Sequence, residues 1–244
     1  MKISDRIYWV GSGAVGLSAP GDCHTYAIAG DDALALVDCG MARDPAFILQ
    51  NMRADGLDLS ALRHCFLTHA HYDHAGGCPA LRDLGVRLAG SPFADRVLRE
   101  GPVSVYGLNG GAPHVDAWRQ MPRSELDDVA ADGQTFDLGG VSVRAIRTPG
   151  HSPDSVCYLA EDANGRRELF TGDTVFYKGF ISVIGAPFCD LASYPRGLAA
   201  LDGLGADGLY PGHLMWVIQG GQAHVDIANE AFFAHRMPVN KPFS

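Results

Sequence analysis

The stretch Thr68-His69-Ala70-His71-Tyr72-Asp73-His74-Ala75-Gly76-Gly77 follows directly on the apolar run Cys65-Phe66-Leu67, and it sets three histidines and an aspartate within six residues. A short apolar run giving way to small and polar residues reads as a buried strand that turns into a helix. In the extended part the two outer positions of His-x-His point the same way, so His69 and His71 can bind one ion. Asp73 and His74 come as the chain turns away and can face a neighbouring position. The same short loop can then serve two metals.

Further candidate ligands follow other strand-like runs. His151 sits in Thr148-Pro149-Gly150-His151-Ser152-Pro153, Asp173 in Leu169-Phe170-Thr171-Gly172-Asp173-Thr174, and His213 in Leu209-Tyr210-Pro211-Gly212-His213. A single histidine beside Gly and Pro is an ordinary turn residue. Here one design repeats: apolar strand, small residue, ligand. With the first cluster it supplies five histidines and two aspartates, enough donors for two metals with positions left for water.

The chain of 244 residues is 47% apolar and only 19% charged, with 30 glycines and 14 prolines, which suits many short strands and tight turns rather than disorder. The pattern predicts strands over residues 7–10, 25–29, 33–37 and 64–68, with Asp31-Asp32 as a hairpin turn. A helix is expected from Asp44-Pro45 to Gly56, then helices over 79–84 and 92–100 around a strand over 86–89. Residues 101–132 are irregular, with Gly110-Gly111, Tyr106 and Trp118, and read either as a substrate-covering insertion or as a surface loop. Strands are expected again over 135–138, 141–147, 155–160 and 168–171, with turns at Gly139-Gly140 and Asn164-Gly165, and helices over 194–204 and 222–236. Strands followed by helices, twice over, suggest a single α/β domain over 1–244. Its two sheets would stack face to face with helices outside, in two pseudo-symmetric halves of about 1–132 and 133–244.

A formal charge of −9 argues against nucleic acid as a partner, because phosphate binding needs a basic stripe. The six cysteines form no C-x-x-C pair and read as reduced packing residues. No signal core and no membrane-length apolar run is seen, so a cytoplasmic protein without a membrane partner is expected, acting on a small molecule, with a homodimer open.

Taken together, Val37-Asp38-Cys39-Gly40, the His69 to His74 cluster, His151, Asp173 and His213 resemble, in type and order, the metallo-β-lactamase superfamily of hydrolases. The resemblance spans nearly the whole chain. It implies a four-layer αβ/βα sandwich with the site at one edge of two mixed sheets. It also implies that His69, His71 and His151 bind a first metal, that Asp73, His74 and His213 bind a second, and that Asp173 bridges them. Asp38 resembles the family's structural acid beside the metals. Two divalent ions are implied, zinc first, with iron or manganese also compatible with imidazole and carboxylate ligands.

Having Asp173 where a thiol could stand points toward esters, thioesters, lactones or phosphoesters. Phe170-Thr171-Gly172-Asp173-Thr174-Val175-Phe176 is similar to the glyoxalase II signature, and Thr148-Pro149-Gly150-His151 is shared with quorum-quenching lactonases, whose active-site tyrosine would fall at Phe176, one place before Tyr177. The expected reaction is hydrolysis by a hydroxide bridging the two metals, with Asp73 as the residue that orients it and moves its proton. Two other readings stay open: a mononuclear iron enzyme like the persulfide dioxygenases, and a non-hydrolytic metal-binding sensor. Trp118, Phe176, Phe180, Ile181, Phe188 and Trp216 are candidates for an apolar pocket or for packing, and Lys178 for an anion contact or a solvated surface charge. His24, His64, His114, His224 and His235 have no partner motif and are read as non-ligands, with His24 the first to check.

Overall fold

Two burial patterns along the strands decide the layering. In a computed structural model, which describes residues 1–41, 45–108 and 115–241, the strand β8 (Val141–Arg147) buries Val141, Val143 and Ala145 while Ser142 and Arg144 face out. This is the period of two expected where one face meets water. By contrast β2 (Thr25–Ala29) is buried almost throughout and β3 (Leu34–Val37) entirely. Such strands need cover on both faces.

The first sheet supplies that arrangement in the order β1 (Ile7–Gly11), β2, β3, β4 (Leu62–Phe66), β5 (Arg87–Gly90) and β6 (Asp128–Val129). The first three strands pair antiparallel and the remaining pairs are parallel. The second sheet runs β11 (Gly208–Pro211), β10 (Arg167–Gly172), β9 (Val156–Asp162), β8 and β7 (Thr135–Asp137). Only its β10–β11 pair is parallel. Between the sheets lies a core rich in aromatic residues, where Tyr26, Phe66, Phe136, Tyr158, Phe170 and Tyr210 interdigitate. Ring centroids 4.9 to 5.6 Å apart, as for Phe66–Phe136 and Tyr26–Phe170, fall in the range where aromatic pairs add to simple burial.

The outer faces bury against helices. α1 (Ala46–Ala54), α3 (Cys78–Asp83) and α4 (Pro92–Glu100) contribute Ile48, Met52, Leu81, Val97 and Leu98 to the core over the first sheet. α7 (Tyr194–Ala199) and α8 (Gly221–Phe233) place Tyr194, Leu198, Val225 and Ala228 over the second. The four-layer sandwich of two mixed sheets is therefore as expected.

Local differences have physical reasons. The helix expected over 194–204 stops at Ala199, and the chain then passes through Gly203 and Gly205, both at positive φ. Residues 101–108 and 115–132 are less irregular than they read. They hold α5 (Pro102–Val105), α6 (Val115–Gln120) and β6, which completes the first sheet beside β5. The Asp44 start signal, Gly110-Gly111 and His114 lie outside the described residues. Among the described residues, no helix is long and apolar enough to cross a membrane.

The strand directions position the site. Asp38 follows β3, His69 follows β4, His151 follows β8, Asp173 follows β10 and His213 follows β11. Each candidate thus comes after the carboxyl end of a strand, where loops of α/β sheets gather ligands.

Candidate metal centre

His71 precedes the one-turn helix α2 (Tyr72–Ala75), which carries Asp73 and His74. The backbone is extended at His71 and then turns, and the His69 ring lies 4.2 Å from that of His71 and 4.1 Å from that of His74. His69, His71 and His151 bring ligand atoms within 4.8 Å of one another, as do His69, His74 and Asp173, and also Asp73, His74 and His213. All seven sequence-derived candidates therefore join one connected cluster. His151 Nε2 stands 3.2 Å from His71 Nδ1. His74 Nε2 is 3.4 Å from Asp173 Oδ1 and 3.5 Å from Asp73 Oδ2, and His213 Nε2 is 3.1 Å from Asp73 Oδ2. Asp73 and His213 are the half-buried members, so the cluster opens toward solvent on their side.

The outward nitrogens are fixed by hydrogen bonds. His151 Nδ1–H donates to the Ser182 carbonyl at 2.8 Å. His74 Nδ1–H donates to Asp38 Oδ2 at 2.8 Å. Asp38 Oδ2 also accepts from the Thr68 hydroxyl, and Thr68 Oγ1 lies 3.0 Å from His69 Nδ1, so one carboxylate orients His74 directly and His69 through Thr68. Its Oδ1 takes the Thr68 amide at 2.8 Å. Asp38 holds φ +60, a left-handed conformation uncommon for a residue with a side chain, and is 1% exposed. Such outward bonds keep a proton on Nδ1 and leave Nε2 as the atom that faces the cluster.

Electrostatics divide the cluster. Burial, and after it the neighbouring imidazoles, push His69 and His71 well below the ordinary histidine value, so both are neutral donors of lone pairs. Burial opposes charge on His74 as well, but Cys23 and the carboxylates Asp73, Asp173 and Asp38 outweigh it and raise His74. At Asp73 burial is likewise outweighed, by His74 and His213, and the carboxyl is held well below its usual range.

The donor set fits a divalent ion. His69 Nε2, His74 Nε2 and Asp173 Oδ1 are buried and make no hydrogen bond among the described residues. Buried polar atoms are almost always paired, and leaving one unpaired costs about 1–3 kcal/mol. Imidazole nitrogens and carboxylate oxygens turned together without hydrogen bonds are what a zinc, iron or manganese ion satisfies.

Other expectations sort cleanly. Trp118 and Phe188 each pack edge-on against His71, with ring centroids 4.9 Å away. Phe176 and Ile181 are fully buried, Ile181 in the core beneath α7 and α8, and Trp216 packs against Trp9. The exposed Lys178 stacks near Tyr177, and its amide donates to His224, so it belongs to the α8 side. His24 is buried close to the cluster but both nitrogens are engaged, Nε2 by the Leu214 carbonyl and Nδ1 by Ser12 Oγ. His64 stacks on Phe66. Sequence reasoning missed Cys23, whose sulfur groups with Asp38 and His74, and Tyr194, whose hydroxyl donates to the Asp173 carbonyl. No local pattern marks either one, because both reach the site only through the fold.

Comparison with known proteins agrees with this geometry. Residues 18–223 match the metallo-beta-lactamase superfamily. The lactamase-like protein vrtG of Penicillium aethiopicum is 31% identical over 215 residues, covering 87% of this chain and 58% of that protein. Thioesterase pkgB of Emericella nidulans is 32% identical over 190 residues, covering 78% of this chain and 45% of that protein. The chain thus spans about half the length of these curated relatives. The solved metallo-beta-lactamase GOB-18 from Elizabethkingia meningoseptica superposes with a TM-score of 0.74 at 19% identity, covering 96% of this chain and 90% of that one, a likeness of fold. With strand order, ligand order and sequence match in agreement, the chain belongs to the metallo-β-lactamase superfamily.

Proposed function

We propose that the chain is a metal-dependent hydrolase of an ester-type bond in a small molecule, with a thioester as the first substrate class to test and esters and lactones next. The observation that carries the reading is the convergence of buried, unbonded His69 Nε2, His74 Nε2 and Asp173 Oδ1 at the strand ends. The name of the thioesterase relative supports the thioester. In this reading His69, His71 and His151 would hold one divalent ion, Asp73, His74 and His213 would hold a second, and Asp173 would supply a further carboxylate ligand. Bound there, the ions supply Lewis acidity that polarises an acyl oxygen and makes water nucleophilic near neutral pH.

The chain's own residues set the conditions for that chemistry. Asp38 and Ser182 hold the His74 and His151 protons on Nδ1. Trp118 and Phe188 cover His71 and keep water from that side. Asp73, ionised and 18% exposed at the side chain, is the carboxylate at the open side and the residue placed to orient water there.

The test is purification without added metal, metal analysis, and turnover of an acyl-thioester, ester and lactone panel before and after chelation. Loss of hydrolysis on chelation and its return with zinc is the expected result. Turnover that ignores the chelator would sink the proposal, and a single iron with oxygen consumption would replace it with the dioxygenase reading.

A further inference from the structure

Asp154 lies three residues beyond His151, in the same loop, and is 1% exposed. Neither the ligand pattern nor the proposed chemistry uses it. Its Oδ2 accepts the backbone N–H of Ala70 at 2.6 Å, and Ala70 is the residue between His69 and His71. Its two oxygens also accept the Tyr106 hydroxyl, at 2.8 and 2.9 Å. Tyr106 belongs to the 101–132 segment, and its ring sits 4.6 Å from Phe188 and 5.6 Å from His71.

One buried carboxylate therefore ties together three stretches of chain: the His151 loop, the His69–His71 turn and the α5 end at Tyr106. The bond to Ala70 is short for an amide donor. It acts on the backbone one residue away from two imidazoles, so any slip there is passed directly to their ring positions. His151 sits on the other arm of the same link. Tyr106 closes it from the side, and its ring forms part of the aromatic wall on His71.

We infer that Asp154 is a positioning residue which fixes the spacing between His151 and the His69–His71 pair, and so sets the affinity and geometry of the ion those three histidines would hold. The inference rests on the proposed metal centre, and the test keeps the two apart. Cobalt(II) is titrated into the full chain against a competing chelator, with its visible absorption recorded, in the wild type and in a His213→Ala background that removes a donor of the other ion. In that background Asp154→Ala is expected to weaken cobalt by about 10- to 100-fold and to shift the absorption band. Asp154→Asn keeps an oxygen for the Ala70 amide and an N–H for the Tyr106 oxygen, so it should restore affinity to within about threefold of the parent. Tyr106→Phe, which removes only the hydroxyl, should shift the band with a smaller loss.

Denaturation midpoints of the metal-free variants are read alongside. A lowered midpoint with cobalt affinity and spectrum unchanged in Asp154→Ala would mean a purely structural role and overturn the inference. Should Asp154→Ala fail to fold, an unchanged band and affinity in Tyr106→Phe overturns it equally. No cobalt binding by the wild type would instead defeat the metal-centre reading on which it stands.

Discussion

Replacing Asp38 with asparagine preserves side-chain volume and a backbone φ of +60 that asparagine tolerates as well as aspartate, yet it changes what faces His74. In the native chain Asp38 accepts three hydrogen bonds, from Thr68 N, Thr68 Oγ1 and His74 Nδ1, each at 2.8 Å. The asparagine oxygen can keep the Thr68 amide. Its NH₂ then meets the Thr68 hydroxyl, which can rotate to accept, and His74 Nδ1, which can accept only by giving up its proton. The proton moves to Nε2, the atom that faces Asp73 and Asp173 and would otherwise bind the ion.

Two bonds to a charged acceptor, each worth about 1.5–3 kcal/mol, become neutral ones worth about 1 kcal/mol, so the metal-free fold should lose about 1–4 kcal/mol. Zinc affinity should fall about 10- to 100-fold, the usual effect of losing a residue that orients a ligand. Asp38→Ala leaves the donors unpaired and puts alanine at positive φ, and should cost about 3–5 kcal/mol. Urea denaturation of chelator-treated protein measures the first quantity and zinc competition with a chelating dye the second. If Asp38→Asn binds zinc within twofold of wild type, the orienting role assigned to Asp38 is refuted.

Further outcomes follow from other contacts. His71→Ala or Asp173→Ala should remove metal and turnover together, and a variant retaining both by metal analysis and activity assay would defeat the ligand assignment. A Cβ on Gly212 would come within 2.5 Å of His74 Cε1 and 2.6 Å of Asp173 Oδ1, so Gly212→Ala should cut metal affinity at least tenfold by the same chelator competition. Phe170, fully buried between the sheets, should cost about 3–5 kcal/mol as alanine by urea denaturation, and a loss below 1 kcal/mol would contradict the inter-sheet core. Burial lowers His24 to about 4, against an ordinary value near 6.5. The folded chain thus refuses a proton that the unfolded chain takes, and stability should fall as pH drops from about 6.5 toward 4, by about 3 kcal/mol in all. His24→Gln should flatten that part of the stability–pH curve relative to wild type, and an unchanged slope would show that His24 does not carry it.

What was legible in the sequence was whatever depends on neighbours along the chain. The His69–His74 turn, the Gly139-Gly140 turn with both residues at positive φ, and the period-two burial of β8 are local physics and read directly. Residues 101–108 and 115–132 read as irregular because helices as short as α5 and α6 carry little periodicity, and β6 exists only by pairing with β5. The roles of Asp154, Ser182, Tyr106 and Tyr194 were invisible for a related reason. Each acts across a long sequence separation, as in the Asp154 bond to Ala70, and a lone Asp or Tyr has no spacing to betray it. Of the apolar pocket candidates, only contact geometry could separate Trp118 and Phe188, which face His71, from Ile181, which packs under α7 and α8.

The long-range bonds also explain why such a site sits where the sheets meet. The Thr68 carbonyl, one residue before His69, accepts the Val156 amide of the second sheet, and the Leu67 carbonyl accepts the Tyr158 hydroxyl. From the other side, the Gly212 carbonyl accepts the His24 amide, and the Pro211 carbonyl accepts the Tyr26 hydroxyl of the first sheet. Ligand loops from each sheet are thus anchored on the other. The distance between His69 and Asp173 is then set by the thickness of the aromatic core that separates the sheets, which is filled by Phe66, Tyr158 and Phe170. Close-packed interiors transmit changes of a single methylene. A substitution such as Tyr158→Phe, which keeps the ring but removes the bond to Leu67, should therefore weaken metal binding out of proportion to its effect on unfolding. Measuring both in one variant, with metal affinity unchanged as the contrary result, tests whether the sandwich core sets the geometry of its edge.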